Sequence, residues 1–289
     1  MTGRFEGKVA VVTGAAGGLG RASAQRLASE GAHIVVVDID ADAAHEVAGS
    51  LATPSIAVAA DISEEAAVAR YIDAGVEAFG RIDLHHLNAG IFGSFDHLPD
   101  LSVDEFDRVM AVNVRGQFLG VRAAFRQYRG QSRPSQGAIG TIAVTGSIAG
   151  LTGSADLLPY HVSKHAVHGL VHAAAVYGGP IGVRVNAVAP GIVPTELFAR
   201  AATATGGKND MEQRASTTPL RRAGSPEEIA GVVAFLLSED SAYVTGQIVS
   251  ADGGATVVNT VRPAGGAGAW DPAGIDAAMY TTAGEKQQS

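Results

Sequence analysis

Tyr160 and Lys164 stand four residues apart in the run Tyr160-His161-Val162-Ser163-Lys164, and Ser147 lies upstream in Thr145-Gly146-Ser147. Residues at i and i+4 share one helix face, so an ammonium there reaches the region of the phenol. A free phenol ionises near pH ~10, and a close cation favours its charged form. Bringing that ionisation toward neutrality takes roughly 3–4 kcal/mol, to which a charge at low effective dielectric can contribute. The expectation is a tyrosine with a lowered pKa that acts as a general base near neutral pH. Tyr-x-x-x-Lys is common by chance, so its meaning depends on the elements that position it.

The amino terminus supplies the first of these. Lys8-Val9-Ala10-Val11-Val12-Thr13 is a β-branched apolar run that reads as a buried strand. It enters Gly14-Ala15-Ala16-Gly17-Gly18-Leu19-Gly20, and the helix-favouring stretch Arg21 to Ala28 follows. Strand, glycine turn and helix start form a phosphate cradle, in which glycines allow close backbone approach and the helix offers unpaired N–H groups. A second strand, Ile34-Val35-Val36-Val37, ends in Asp38, about where a ribose-binding carboxylate should stand.

With these motifs in place, the chain resembles the short-chain dehydrogenase/reductase family from about Phe5 to Gly254. Thr13-Gly14-x-x-x-Gly18-x-Gly20 is similar to the family's cofactor turn, and Asp61-Ile62 to its adenine-side acid. Asn88-Ala89-Gly90 resembles the strand-four motif, and Asn113 the helix asparagine. Ser147, Tyr160 and Lys164 match the catalytic group. Pro190-Gly191-Ile192-Val193-Pro194-Thr195 resembles the nicotinamide-side loop, and Asp252-Gly253-Gly254 the closing turn. Leu87 departs from the family, which commonly has a further asparagine there. That position supports the central strand, so only a local adjustment is expected.

The resemblance implies roles. Tyr160 would be the general base in oxidation and the acid in reduction. Lys164, helped by an oxidised nicotinamide ring, would lower its pKa and would hydrogen-bond the nicotinamide ribose, and Ser147 would orient the substrate oxygen. Asn113 would hold a water on the proton path, while Thr195 and the Val193 backbone would fix the carboxamide. The implied cofactor is NAD, because Asp38 repels a 2′-phosphate and no Lys or Arg stands at Ala15, Ala16 or Ile39 to offset it. The implied substrate is a small hydrophobic alcohol or ketone, and the implied assembly a homo-oligomer, a tetramer by the family's habit.

Composition is consistent with such an enzyme. At 289 residues and 46% hydrophobic, the chain is long enough for one large core. No long uninterrupted apolar stretch suggests a membrane span, and Met1 to Lys8 lacks the apolar core of a signal peptide. A cytoplasmic location is therefore expected. The absence of cysteine excludes disulfides and thiolate metal sites. A net charge of −8 argues against nucleic acid as a partner.

Apolar runs alternate with helical patterns along the whole match. Strands are expected at 55–59, 82–87, 139–144, 183–188 and 247–250. Helices are expected at 64–79, as one long element at 103–128, at 155–177 and at 227–237, the last behind the cap Ser225-Pro226. The expected fold is α/β: a single Rossmann-like, doubly wound, seven-stranded parallel sheet with helices on both faces, and ligands at the strands' carboxyl ends. The catalytic and dinucleotide-binding domain would span 1–254, with 255–289 as a C-terminal extension. Residues 129–138 read as an exposed loop, and 194–219 as a lid over substrate or a surface loop. Trp270 and Tyr280 in the extension either anchor it near the site or belong to a solvated tail. The substrate pocket is expected from Gly93-Ser94-Phe95, from 152–159 and from the lid.

His161, His165, His168 and His172 fall on one helical stripe. Interface or hydrogen-bonded histidines are the plain reading, with a pH-sensitive interface or a metal pair as alternatives, and no metal is assigned. His85 and His86 in the fourth strand are expected to be satisfied core or helix-packing residues. Two other classes compete with a dehydrogenase. A cofactor-binding regulator without chemistry is opposed by the intact Ser147, Tyr160 and Lys164. The epimerase and dehydratase branch is opposed by the spacing of Gly14, Gly18 and Gly20. Among oxidoreductases, a NADPH-type 3-oxoacyl-thioester reductase meets Asp38 as its obstacle.

Overall fold

The computed structural model describes residues 3–132, 137–154, 156–196, 198–199 and 211–258. Seven parallel strands, β1 (Val9–Thr13), β2 (His33–Asp38), β3 (Ser55–Ala59), β4 (Leu84–Leu87), β5 (Gly140–Thr145), β6 (Val183–Pro190) and β7 (Ile248–Ala251), form one sheet in the order β3-β2-β1-β4-β5-β6-β7. This is the Rossmann-like α/β fold expected from the alternation of apolar runs and helical patterns. The order reverses between β1 and β4, and such a switch point opens a crevice beyond the strands' carboxyl ends.

Helices cover both faces because the strands are apolar on both. Ala10, Val12, Ile34 and Val36 pack with α1 (Gly18–Ser29), α2 (Ala41–Ser50) and α8 (Pro226–Leu237). Their neighbours Val9, Val11, Val35 and Val37 point the other way, toward α3 (Glu65–Phe79) and Leu119 of α5 (Gln117–Arg129). Farther along that second face, Ile142, Val144 and Val185 meet α5 and α6 (Leu158–Gly178). This period of two on a doubly covered sheet accounts for the unbroken apolar runs.

Local signals set several helix starts. Asp40 accepts the N–H of Ala43, and Ser102 that of Glu105 at the start of α4 (Val103–Met110). Ser225 and Glu228 form a reciprocal capping box at α8. The long helix expected at 103–128 is not regular. A π-turn over Ala111–Gly116 separates α4 from α5 and carries Asn113. α7 (Met211–Ser216) lies within the segment read as a lid, and Leu197 and 200–210 fall outside the described residues. Trp270 and Tyr280 fall outside them too. Among the described residues no helix is long and apolar enough to cross a membrane.

One buried charge ties β6 to the end of α8. Arg184 is 8% exposed and donates to Leu236 O (3.1 Å), Ser238 O (2.8 Å), Val244 O (3.1 Å) and Ser241 Oγ (2.9 Å). These carbonyls lie in the last turn of α8 and just beyond it, where no intrahelical donors remain. Arg184→Met keeps bulk but removes the guanidinium's charge-assisted bonds, leaving Leu236 O and Ser238 O to the Ser241 hydroxyl and Val244 O to Asn186 Nδ2. Chemical denaturation should show a loss of ~3 kcal/mol or more; a change within ~0.5 kcal/mol, the range of ordinary surface substitutions, would contradict this role.

Candidate active site

The glycine turn closes the carboxyl end of β1. Gly14 (φ 63°) and Gly18 (φ 50°) occupy backbone regions that favour glycine. A Cβ on Gly14 would come within 2.8 Å of Ala89 Cα, and one on Gly20 within 1.9 Å of Gly14 O. Only glycine permits these approaches. Gly17 begins α1 without a side-chain cap, so among the described residues the first-turn N–H groups receive no capping hydrogen bond from a side chain. Leu19 packs into the core beside the turn. Asp38, at the end of β2, accepts the N–H of Ala16 (2.9 Å) and of Asp40 (3.1 Å) and stays half-exposed. Uncapped N–H groups, compulsory glycines and a fixed carboxylate together fit a dinucleotide whose pyrophosphate rests on the helix start. Glu196 leans over Gly17, its Oε2 3.2 Å from where a Cβ would be. A second anion entering the cradle would require that carboxylate to turn away.

Asn88-Ala89-Gly90 leaves β4 directly opposite this turn. Asn88 Nδ2 donates to Thr13 O (3.1 Å) and Gly14 O (3.2 Å), and the Asn88 and Ala89 N–H groups share Thr13 Oγ1. Gln117 Nε2 holds Ala89 O (2.8 Å). Asn113 receives Ile91 N–H at Oδ1 (2.8 Å) and donates to Ile91 O (2.8 Å) and Ser163 Oγ (3.0 Å). Its side chain is engaged at both ends, in line with a bracing role for the π-turn. A Cβ on Gly90 would sit 3.1 Å from Asn113 Oδ1.

Ser147 follows β5, while Tyr160 and Lys164 lie in the first two turns of α6. The Ser147 hydroxyl hydrogen-bonds the Tyr160 phenol and receives Ala149 N–H (3.1 Å). Lys164 is 3% exposed and donates to Thr145 O (2.9 Å). Burial lowers the Lys164 pKa to about 8. Burial also pushes Tyr160 up to about 12, opposed by the hydrogen bond from Ser147. The lowered phenol pKa expected from the Tyr-x-x-x-Lys spacing is therefore not found in the protein alone. Lys164 Nζ stands 5.4 Å from the Tyr160 ring centroid and spends its hydrogen bond on a carbonyl, so desolvation outweighs it.

On the far side of the crevice, Gly191 N–H bonds Ala251 O (3.1 Å), and a Cβ on Gly191 would meet Asp252 Cα at 2.7 Å. Pro190 ends β6, Val193 is buried, and Thr195 Oγ1 receives Phe198 N–H (3.3 Å), its side chain against Gly18. Asp61 is exposed and holds Ser63 through N–H (2.9 Å) and Oγ (2.7 Å); Ile62 is buried against Gly116. The structure thus brings the turn, Asp38, Asn88 to Gly90, Asn113, Ser147, Tyr160, Lys164 and the 190–195 loop to one end of the sheet. Asp61 and Ile62 sit at its β3 edge.

One neighbour was not singled out in the sequence. Phe92 packs its ring on Tyr160 (centroids 4.7 Å apart), and its signal was its place directly after Asn88 to Ile91. Leu157, in the stretch expected to line the pocket, precedes α6 in a left-handed conformation (φ 53°), which strains a leucine. The histidine stripe divides. His168 is buried, bonds Gly150 O (3.0 Å) and occupies the space that side chains at Gly146 and Gly150 would need, so it supports the Ser147 turn. His161 and His165 bond nearby carbonyls, Thr152 O (3.1 Å) and His161 O (2.9 Å). Among the described residues no three His, Asp or Glu groups stand together as a metal site would need. The core histidines divide between the two expectations: His85 packs edge-on against Tyr128 of α5 with neither ring nitrogen hydrogen-bonded, and His86 bonds Thr145 Oγ1 through Nε2 while its Nδ1 lacks a partner. The residues around His85 are apolar or already paired, so burial holds its pKa down at about 3.

A family model described as "Enoyl-(Acyl carrier protein) reductase" matches residues 14–256. Levodione reductase of Leifsonia aquatica is 38% identical, over 88% of this chain and 96% of its own. Cyclohexanol dehydrogenase of Acinetobacter sp. (strain SE19) is 36% identical, over 89% and 98%. The crystal structure of NAD+-bound xylitol dehydrogenase superposes with a TM-score of 0.79 at 35% identity, covering 86% of this chain and 99% of that one. With fold, motifs and these likenesses in agreement, the chain belongs to the short-chain dehydrogenase/reductase family.

Proposed function

We propose that this chain is an NAD(H)-dependent oxidoreductase that interconverts a hydrophobic secondary alcohol and its ketone, with Tyr160 as general acid and base. The observation that carries this reading is the convergence of Ser147, Tyr160 and buried Lys164 beside the glycine turn. A nicotinamide nucleotide, when bound, supplies the hydride acceptor or donor. The chain's own residues handle the proton and the geometry. In oxidation the Tyr160 phenol first releases its own proton to solvent in the filled site, and the resulting phenolate takes the proton of the alcohol O–H, while Ser147 holds the substrate oxygen and stabilises charge developing on it. Lys164 places a positive charge beneath the phenol, and Asn113 braces the segment after β4 that faces it. Gly14, Gly18, Leu19, Gly20, Asp38, Asp61, Ile62, Asn88, Ala89, Gly90, Pro190, Gly191, Val193 and Thr195 would hold the cofactor with Tyr160 and Lys164. Residues 1–254 would form that working unit, with 255–289 as an extension.

The substrate class follows from the walls. Phe92 is apolar and lays its ring against Tyr160, which suits a hydrocarbon ring or chain beside the reacting carbon. The names of the levodione and cyclohexanol relatives agree with a cyclic ketone or alcohol. A self-complementary oligomer, expected as a tetramer, belongs to the same reading. Phe118 on α5 and Val162, Val176 and Tyr177 on α6 are exposed apolar groups suited to symmetric pairing.

Three outcomes follow. Steady-state kinetics should give a kcat/KM at least ~10-fold higher with NAD+ than with NADP+, a gap of about 1.4 kcal/mol. Asp38→Ala should narrow it, and a native preference for NADP+ would overturn the assignment. Tyr160→Phe should lower kcat by ~100-fold or more, the usual scale for a lost acid–base group, while dinucleotide titration stays near wild type. Residual activity close to wild type would mean the proton takes another route. Light scattering at micromolar protein should report an oligomer, and a clean monomer would remove the helix-face interface.

A further inference from the structure

We propose that His86 is a positioning residue, setting the direction of a buried hydrogen-bond chain that joins the cofactor turn to the carbonyl anchoring Lys164. The inference rests on the dinucleotide reading of that turn. Four groups form the chain, and their donors and acceptors can be assigned without ambiguity. Asn88 Nδ2 faces two carbonyls, Thr13 O (3.1 Å) and Gly14 O (3.2 Å), so the amide's NH2 end must point there. Its Oδ1 therefore faces Thr145 Oγ1 (2.9 Å) as an acceptor, and the single Thr145 hydroxyl proton is spent on it. What remains on Thr145 Oγ1 is a lone pair, and His86 Nε2 lies 2.9 Å from that oxygen. His86 must carry its proton on Nε2, which leaves Nδ1 bare and accounts for its lack of a partner.

The chain runs one way, from His86 to Thr145 to Asn88 to the carbonyls of Thr13 and Gly14. Thr145 also anchors Lys164, through its main-chain carbonyl (2.9 Å). One residue thus ties the cofactor turn, the strand-four motif and the ammonium together, and His86 supplies the only donor that completes its hydroxyl. Because His86 is fully buried, its charged form is strongly disfavoured and its pKa is held near about 3, so the direction does not reverse in the working range. His85 shows that this is not the default for a buried histidine on β4. One residue earlier, it packs edge-on against Tyr128 and makes no hydrogen bond.

The consequence is a residue that never touches cofactor or substrate yet holds the turn for one of them. Isothermal titration of NADH and NADPH, kcat and melting temperature should be measured for His86→Met, His86→Gln, Thr145→Val and the double variant His86→Met/Thr145→Val. His86→Met should weaken binding of the preferred dinucleotide by ~10-fold. His86→Gln, whose amide can donate from the same distance, should recover most of the loss. Thr145→Val keeps the carbonyl for Lys164 and should match His86→Met, and the double variant should be no worse than either single one. Wild-type affinity in both His86→Met and Thr145→Val would overturn the chain, as would full additivity in the double variant. If His86→Met does not fold, Thr145→Val at wild-type affinity still overturns it. A preference for NADPH would sink the Asp38 reading while leaving the variant-to-wild-type ratios to decide this one.

Discussion

The buried ammonium of Lys164 is the constraint around which the carboxyl end of the sheet is arranged. Its pKa, lowered from 10.5 to about 8 with desolvation as the cause, corresponds to roughly 3 kcal/mol at ~1.4 kcal/mol per tenfold. That is a large share of the ~5–15 kcal/mol by which a domain is typically stable. Among the described residues no carboxylate is paired with it, and a fixed anion there would oppose negative charge on the phenol. The charge is met by a dipole instead, the carbonyl of Thr145, which β5 and β6 hold rigidly in register. Thr145, Asn88 and Thr13 are in turn joined across β5, β4 and β1. The site is as stiff as the middle of the sheet because it is bonded to it.

Tyr160 shows which effect wins when two oppose each other. Adjacent charge and desolvation act in opposite directions on a phenol, and spacing in the sequence speaks only for the first. With the ammonium 5.4 Å from the ring centroid, and itself disfavoured by burial, desolvation prevails and the phenol stays protonated. The Ser147 hydrogen bond offsets part of this. A base built this way needs further positive charge beside it before it gives up its proton, so proton abstraction is confined to a filled site.

Features carried by short-range pattern were legible in the sequence. The β-branched runs, the glycine turn, the Ser225-Pro226 cap and the Tyr160–Lys164 face each depend on a few neighbouring residues, and the structure has them. Features set by contacts distant in sequence were not. The π-turn at 111–116 keeps the apolar periodicity of a helix and is marked only by Asn113 reaching Ile91. His86 looks like a stray polar residue until Thr145, which is 59 positions away, lies beside it. Leu157 carries no sign of its left-handed backbone, since leucine favours the opposite region. The raised Tyr160 pKa of the protein alone belongs with these, since burial is a property of the whole fold.

The topology separates what must be constant from what can vary. The turn after β1 meets the segment after β4 so closely that Gly14 and Gly20 admit no side chain. Changes there would disturb cofactor and ammonium together. Phe92, by contrast, lies two residues after Gly90 with its ring against Tyr160, and Leu157 lies three residues before Tyr160 at the start of α6. A substitution at either position leaves Asn88, Thr145 and Lys164 in place, and at Phe92 it alters the wall against Tyr160. Selectivity for one ketone over another can therefore drift in the loops after β4 and before α6 without loss of the chemistry, a division the strand order itself imposes.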